Sequence, residues 1–420
     1  MFFLYQILLI ILLIFSPLII FFRIFKKKED KKRYKEKFCF PSKKRINGNL
    51  IWFHGSSVGE LLSILPLVQE LEKNKSINQI LVTTSTLSSA QIFKKFSFKK
   101  TIHQFFPIDS ILFSYKFLNY WKPTIAIFVE SEIWPSIFRA LNKKDIPLKL
   151  LNARITKKTF NKWMRVKKFS NSVFQNISIA YPQNEETLNY LKKLNVKKIK
   201  KIGNLKFFNN QQSKLTKLDN TFLKNINLKK IWCASSTHSG EEIICANVHI
   251  NLKKKYKNLL TIIIPRHIHR VNQIVNEIKS LDLNIVLHSS RPKKLNNTDI
   301  YLVDTYGETQ KFYHSSDIVF MGKSISGKGG QNPLEPTNLG STVLYGPNVD
   351  NFKDTYKLLN KLKVAYKVNG VKTLTQSIDK LITKPNNKKN YLKIAKMGKK
   401  ILNETKDEIN SLFNNEIKKT

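Results

Sequence analysis

The stretch LIWFHGSSVGE, Leu50 to Glu60, decides how the rest of the chain is read. Leu50–Phe53 is an apolar run of strand length. The segment His54-Gly55-Ser56-Ser57 breaks it, and from Glu60 to Leu71 the apolar Leu61, Leu62, Leu65 and Val68 recur at helical spacing. A strand, a small-residue loop and a helix open a βαβ unit, and ligands of such units gather beyond the carboxyl ends of the strands. Gly55 and Gly59 permit close backbone approach, and free N–H groups at the helix start can hold an anion. Glu60 stands in the first turn. A helix-dipole partner, stabilising by about 0.3–1 kcal/mol, explains an acid there as well as a reactive carboxylate does.

The same rhythm runs outward from this stretch. Gln79–Thr83, Thr124–Val129, Leu148–Leu151 and Ile177–Tyr181 read as strands, with helices from about Trp134 and near Asn184. Asn209–Lys230 is polar and rich in Asn and Lys, as a linker would be. The rhythm then restarts with strands at Ile231–Ala234, Leu259–Ile264, Asn284–Leu287, Ile300–Val303, Ile318–Met321 and Thr342–Tyr345. Helices are expected at Gly240–Lys255, Val271–Ser280 and Leu334–Leu339. The expected class is α/β: two Rossmann-like domains facing a cleft. The expected divisions are residues 1–25, a membrane anchor; 26–208, the first domain; 209–230, the linker; 231–388, the second domain; and 389–420, a Lys-rich C-terminal helix.

Length and composition agree with this division. A chain of 420 residues exceeds one typical domain core, and 42% hydrophobic content excludes a disordered chain. Cys39, Cys233 and Cys245 are odd in number and lack metal-ligand spacing, which excludes a disulfide scaffold and suits a reducing compartment. Lys and Arg number 73 against 29 Asp and Glu, a net charge of +44. That balance favours anionic partners, although the lysines are scattered along the whole length as solvated surface residues would be.

The N-terminus carries a different signal. Phe2 to Phe22 is uncharged and almost wholly apolar, and a helix of that length reaches roughly 30 Å, one hydrocarbon thickness. Arg23, Lys26, Lys27, Lys28, Lys31, Lys32 and Arg33 follow it, and no Lys or Arg precedes it. The positive-inside rule then places the body in the cytoplasm. An uncleaved anchor is expected, and a helix lying in the membrane interface is its rival.

The unusual residues collect where strands stop. Val129-Glu130-Ser131-Glu132-Ile133-Trp134-Pro135 sets two acids between a strand and a Pro-started helix. Glu132 reads as a first-turn acid, whereas Glu130 at the strand terminus suits a site or a structural role equally. Asn152-Ala153-Arg154 closes the next strand, and Gly203-Asn204-Leu205-Lys206-Phe207 ends the first half with a lysine able to reach a phosphate. In the second half, Ala234-Ser235-Ser236-Thr237-His238-Ser239-Gly240-Glu241-Glu242 is a hydroxyl-rich loop at a helix start, explicable by phosphate binding or by capping. Pro265-Arg266-His267 and Tyr306-Gly307-Glu308 each follow a strand. Gly327-Lys328-Gly329-Gly330-Gln331-Asn332-Pro333-Leu334-Glu335-Pro336 is the densest glycine cluster, and its Glu335 suits ribose hydroxyls, with a turn and a capping acid as the structural alternative.

Taken in order, the blocks HGSSVGE, VESEIWP, NARIT, GNLKF, ASSTHSGEE, PRHIHR, GGQNPLEP and GPNVDNF resemble the 3-deoxy-D-manno-octulosonic acid (Kdo) transferases. With the N-terminal anchor and RYKEKF they cover nearly the whole chain. The resemblance implies a GT-B fold and transfer of Kdo from CMP-Kdo to a lipid A precursor at the inner membrane, in lipopolysaccharide assembly. It implies Glu60 as general base, with Glu130 and Lys206 as transition-state stabilisers. It implies that Pro265 and Arg266, then Tyr306, Gly307 and Glu308, then Asn332, Pro333, Leu334 and Glu335, hold the CMP moiety. The chain departs from the family pattern at Gln331, where His is expected, at Tyr306, where Met is common, and at Ser136, where Asn is frequent.

No Asp-x-Asp occurs, which argues against a metal-bridged diphosphate donor, and a CMP-sugar carries only one phosphate. The expectation is an inverting transfer with no metal and no cofactor. Two rivals are another GT-B enzyme using a nucleotide-diphosphate sugar and a membrane-tethered nucleic-acid-binding protein. The second is disfavoured, since no aromatic-basic RNA motif or helix-turn-helix signature is present. No nucleic-acid partner is expected.

Overall fold

The structure is a computed structural model that describes residues 2–208, 218–227, 229–292, 294–383 and 388–419. The chain divides into two compact units, residues 1–208 with 398–420, and residues 209–397.

The first unit is built on six strands: β1 (Leu50–His54), β2 (Gln79–Thr84), β3 (Thr101–Phe105), β4 (Ile125–Val129), β5 (Leu148–Ala153) and β6 (Ile177–Pro182). They lie in the order β3-β2-β1-β4-β5-β6, and every pairing is parallel. β1, β2, β4 and β5 are buried along their full lengths, which is why they read as continuous apolar runs rather than as alternating ones. Trp52 anchors the core. Its ring meets Phe128 edge-on at 5.1 Å, Phe128 meets Phe138 the same way at 5.1 Å, and the indole N–H donates to Thr83 Oγ1 at 2.9 Å.

Chain order reverses between β1 and β4, so the crevice beyond their carboxyl ends is the switch point at which doubly wound sheets bind ligands. The segments that follow these two strands carry Glu60, in the first turn of a helix, and Glu130, at the strand's end.

The second unit has seven strands: β7 (Lys230–Thr237), β8 (Leu259–Pro265), β9 (Ile285–Leu287), β10 (Ile300–Leu302), β11 (Ile318–Met321), β12 (Thr342–Tyr345) and β13 (Ala365–Lys367). Their order is β13-β12-β11-β7-β8-β10-β9, again all parallel, with the switch between β7 and β11. Both units are therefore Rossmann-like.

Two segments differ from their reading as a sequence. Of the stretch 209–230, residues 209–217 and 228 lie outside the described residues, and Asn220–Asn227 is a helix. That helix buries Phe222 against Tyr301, with ring centroids 4.7 Å apart. The C-terminal helix Lys388–Ile417 gives its residues from Gly398 onward to the first unit. There Tyr181 donates to Glu408 at 2.9 Å, Lys200 pairs with the same carboxylate at 2.5 Å, and Asn74 donates to Asn410 at 2.8 Å. Two glycines permit the close approach: a Cβ on Gly203 would sit 2.8 Å from Ile401 Cδ1, and one on Gly398 would sit 2.3 Å from the Phe207 carbonyl.

Candidate active site

In the first unit the loop after β1 leads into the helix Val58–Leu71, whose N-cap is Ser57. Ser57 Oγ accepts from the Glu60 amide at 3.3 Å, and Glu60 Oε2 accepts from the Ser57 amide at 2.9 Å, a complete capping box. Glu60 is thus a helix cap in fact, and the cap holds it at the switch point with Oε1 bonded to nothing among the described residues. Gly55 leaves it room, since a Cβ there would lie 3.2 Å from Glu60 Cβ and 3.7 Å from Val129 Cβ.

Burial, followed by the nearby charge of Glu132 and then of Glu130, pushes the Glu60 carboxyl up to about 7. A carboxylate with that value exchanges a proton near neutrality, as a general base requires.

Glu130 ends β4 in the left-handed region, at φ +55°, and is almost fully buried. A glutamate held there is strained, a condition that clusters at functional sites. Its backbone is fixed by neighbours: its amide donates to the Leu151 carbonyl at 2.9 Å and its carbonyl accepts from the Arg154 amide at 3.2 Å. Lys206 Nζ lies 2.5 Å from Glu130 Oε1, an ion pair without hydrogen-bond alignment. The lysine sits on the single turn Leu205–Phe207, capped by Asn204, whose Oδ1 accepts from the Lys206 amide at 2.9 Å. Asn152, also left-handed at φ +51°, accepts from the Leu205 amide at 3.1 Å. The NAR and GNLKF blocks, about fifty residues apart, are in this way one device for placing Lys206.

Glu132 is not the first-turn acid its position suggested, because the helix starts at Pro135. Its Oε2 instead receives Ser56 Oγ at 2.5 Å and the Trp134 indole N–H at 2.8 Å, and lies 3.1 Å from His54 Nε2. His54 is itself buried, stacks on Phe106 at 3.8 Å and meets Thr83 Oγ1 at 2.9 Å through Nδ1. Burial alone would raise the Glu132 carboxyl, but His54, Ser56 and Trp134 outweigh it and hold the group below its ordinary value. Glu132 is therefore a fixed negative charge beside Glu60. The strand end holding His54 was the available signal, since a histidine closing a wholly apolar strand needs a polar partner.

The second unit carries the residues expected to hold a nucleotide. Arg266 is exposed just past β8, and its amide donates to the Thr237 carbonyl at 3.0 Å, which joins the loops after β7 and β8. The His238 and His267 rings lie 5.4 Å apart beside it. Glu241, fully buried at the helix start after β7, accepts from the amides of Lys323 at 2.6 Å, Ser324 at 3.0 Å and Ile325 at 2.9 Å in the loop after β11. This carboxylate pins the base of the glycine cluster. Within the cluster Gly329 and Gly330 take φ +92° and +68°, which glycine adopts at no steric cost.

Asn332 Oδ1 accepts from the Leu334 amide at 3.1 Å, Pro333 and Leu334 are buried, and Glu335 is exposed on the first turn of Leu334–Asn338. Tyr306 is 72% exposed, and Gly307 next to it is left-handed. Glu308 is already engaged: Thr305 Oγ1 at 2.6 Å, Lys311 Nζ at 2.6 Å and His288 Nε2 at 2.9 Å overcome its burial and hold it down to about 2. What that segment can offer a ligand is backbone and Tyr306 rather than the Glu308 carboxylate.

Comparison with known proteins identifies the family. Residues 32–209 match the sequence model of the family described as 3-deoxy-D-manno-octulosonic-acid transferase (kdotransferase). The 3-deoxy-D-manno-octulosonic acid transferase of Rickettsia bellii is 34% identical over 397 residues, which is 92% of this chain and 93% of that one. The chain belongs to the Kdo transferase family. The Kdo transferase of Haemophilus influenzae is 29% identical, covering 86% of this chain and 85% of its own. Among solved structures, the Neisseria meningitidis UDP-GlcNAc 2-epimerase bound to UDP-GlcNAc matches in fold, with a TM-score of 0.57 at 14% identity over 84% of this chain and 98% of that one. The chain is thus a glycosyltransferase of GT-B type, with two Rossmann-like domains.

For this Kdo transferase the Glu132 charge has a measurable consequence. As the expected general base, a Glu60 carboxyl held at about 7 is increasingly competent as pH rises through 7. Removing the neighbouring charge lowers that value, so the acid limb of the kcat/KM profile is expected to move to lower pH in Glu132→Gln. An unmoved limb would remove Glu132 from the electrostatics of the site.

Proposed function

We propose that this Kdo transferase takes Kdo from CMP-Kdo and adds it to a hydroxyl of a lipid A precursor. The transfer inverts the anomeric centre, needs no metal, and serves lipopolysaccharide core assembly at the cytoplasmic face of the inner membrane. The observation that carries this reading is the half-buried Glu60, raised to about 7 at the switch point where Glu130 and Lys206 meet.

Glu60 takes the proton of the acceptor hydroxyl as its oxygen attacks the anomeric carbon of Kdo. The bond from that carbon to the CMP phosphate oxygen breaks, and CMP departs with the electron pair. Positive charge gathers on the sugar as it does in glycoside hydrolysis, and the Glu130 carboxylate offsets it. Lys206 supplies positive charge against the anionic groups of the donor, and Arg266 with the helix starts of the second unit binds the single phosphate. A monophosphate leaving group carries less charge than a diphosphate, so these groups suffice without a metal. The helix Phe2–Phe25 tethers the body to the membrane, where a chain of net charge +44 meets an anionic acceptor.

The deciding experiment incubates the purified chain with CMP-Kdo and a lipid A precursor without divalent cations, and weighs the lipid by mass spectrometry. A gain of Kdo mass with release of CMP is expected. No mass gain, or transfer only from a nucleotide-diphosphate sugar with Mg²⁺, would overturn the proposal. Arg266→Ala is expected to weaken CMP binding roughly ten- to hundredfold, the equivalent of one lost charged hydrogen bond. Calorimetry with CMP reads it, and an unchanged Kd would take Arg266 out of the donor site.

A further inference from the structure

The helix Phe2–Phe25 is apolar on every side: an 18-residue window of it has a mean hydropathy of 2.9, and only Tyr5, Gln6, Ser16 and Arg23 carry polar groups. Composition alone makes it a spanning candidate. Its packing points elsewhere.

The side chains covered by the first unit are Phe2, Tyr5, Gln6, Leu9, Leu13, Ser16, Ile20 and Ile24. Steps of three and four residues, with one pair of neighbours, make this a single stripe from one end of the helix to the other. The body therefore runs beside the helix for its whole length, about 36 Å at 1.5 Å per residue.

The contacts at the first turn are polar and specific. Tyr5 donates to the buried Asp109 carboxylate at 2.7 Å, and Gln6 donates to Ser136 Oγ at 2.9 Å. The Arg139 guanidinium lies 4.4 Å from the Phe2 ring centroid. Lys143 and Asn176 line the same hollow as Phe2. At the other end Pro17, Ile20, Phe21 and Ile24 border an apolar groove of about 630 Å³ with Phe38 and Phe113.

A helix docked in this way cannot stand across a bilayer, because Phe2 would draw Arg139 and Lys143 through the hydrocarbon. Each charge there costs about 2.5–3.5 kcal/mol on insertion scales, before the unmet backbone groups of the body are counted. The uncovered faces still require lipid: Phe3 is 78% exposed and Phe25 81%, with Leu8, Ile14, Phe15 and Phe22 between them. Exposed Lys26, Lys27, Lys28, Lys31, Lys32 and Lys35 continue from its end, placed for anionic headgroups.

We propose that this helix lies flat within one leaflet, its covered stripe on the domain and its remaining faces among the acyl chains, so that the whole chain stays on one side of the membrane. The partner is an anionic lipid surface. An in-plane anchor fixes the body's height and tilt over the membrane, which a single perpendicular tether does not.

The test fuses a ten-residue Gly/Ser tag with one cysteine ahead of Met1 in the full chain and applies an impermeant maleimide to intact spheroplasts and to inverted vesicles. The native cysteines are buried and add little background. Labelling of inverted vesicles with protection in spheroplasts is expected, and labelling in spheroplasts overturns the proposal. A second measurement places nitroxides at Leu4→Cys, Ile11→Cys and Leu18→Cys, three exposed positions on one face, in phosphatidylglycerol/phosphatidylethanolamine vesicles. Equal depths at the three sites are expected, and a profile deepest at residue 11 would mean a span. Neither readout depends on Kdo transfer, so failure here leaves the proposed reaction standing, and failure of the reaction leaves this topology standing.

Discussion

Glu60→Gln is expected to lower Kdo transfer by roughly 10²–10⁴-fold while leaving the fold intact, the loss typical of a deleted general base. Glutamine keeps the capping box, because its amide oxygen can still accept from the Ser57 amide that Glu60 Oε2 now receives at 2.9 Å. Stability should not fall either. The native carboxyl is raised to about 7, above its unfolded value, so the native state binds that proton more tightly. Ionising Glu60 in the native state therefore costs stability progressively as pH rises from the ordinary 4.5 to about 7, and the uncharged variant escapes the whole of that cost at pH 8. Glu60→Ala, by contrast, loses half of the cap as well as the base and should melt at a lower temperature. Turnover of CMP-Kdo and thermal melts at pH 6 and pH 8 read both effects. A glutamine variant that turns over like the parent would end the base assignment, whatever its stability.

Much of this site was legible in the chain because strand ends write themselves locally. The central strands are buried on both faces, so Leu50–His54 and Ile125–Val129 stand out as apolar runs, and whatever follows them must lie at the switch point. Glu60 and Glu130 stand out in that way as candidates, each with a structural reading open beside the functional one, and only the family resemblance assigns them roles. The strand Thr101–Phe105 was missed because His103 and Gln104 interrupt it. Both are buried, and His103 bonds Thr84 Oγ1 at 2.8 Å through Nε2 and Arg33 through Nδ1 at 3.0 Å. Those partners lie nineteen and seventy residues away, beyond the reach of any local period. The edge strand Ala365–Lys367 is three residues long with two of them exposed, too short to leave a pattern.

Glu132 and Asn152 show the same limit within the site. An acid two places before Trp134 reads as a first-turn acid, and only the fold brings His54 from seventy-eight residues upstream to claim it. Asn152 closes a strand, and nothing nearby announces that its side chain orders the turn bearing Lys206. In the second unit Glu241 reads as an ordinary first-turn acid, yet it gathers the amides of a loop more than eighty residues on. Periodicity locates elements, whereas long-range bonds from side chain to backbone decide which polar residue does what.

Lys206→Met alone confuses two roles that a second substitution separates. Glu130 is 4% exposed and its carboxylate faces Lys206 Nζ at 2.5 Å. Removing the cation leaves a buried charge uncompensated, a change that costs about 3–5 kcal/mol in fully buried pairs and less here, since Lys206 is partly open to solvent. In the proposed mechanism the same change also removes positive charge from the transition state, worth about 2–4 kcal/mol by analogy with a single lost electrostatic donor. A drop in activity could then come from either source. The double variant Lys206→Met/Glu130→Gln resolves it, because neutralising both partners removes the unpaired charge while preserving shape. Stability is expected to return to near the parent value in the double variant, while kcat stays at or below that of Lys206→Met. Chemical denaturation and single-turnover transfer from CMP-Kdo measure the two separately. If kcat recovered together with stability, the pair would be a structural ion pair and the positive charge at residue 206 would have no part in the transfer.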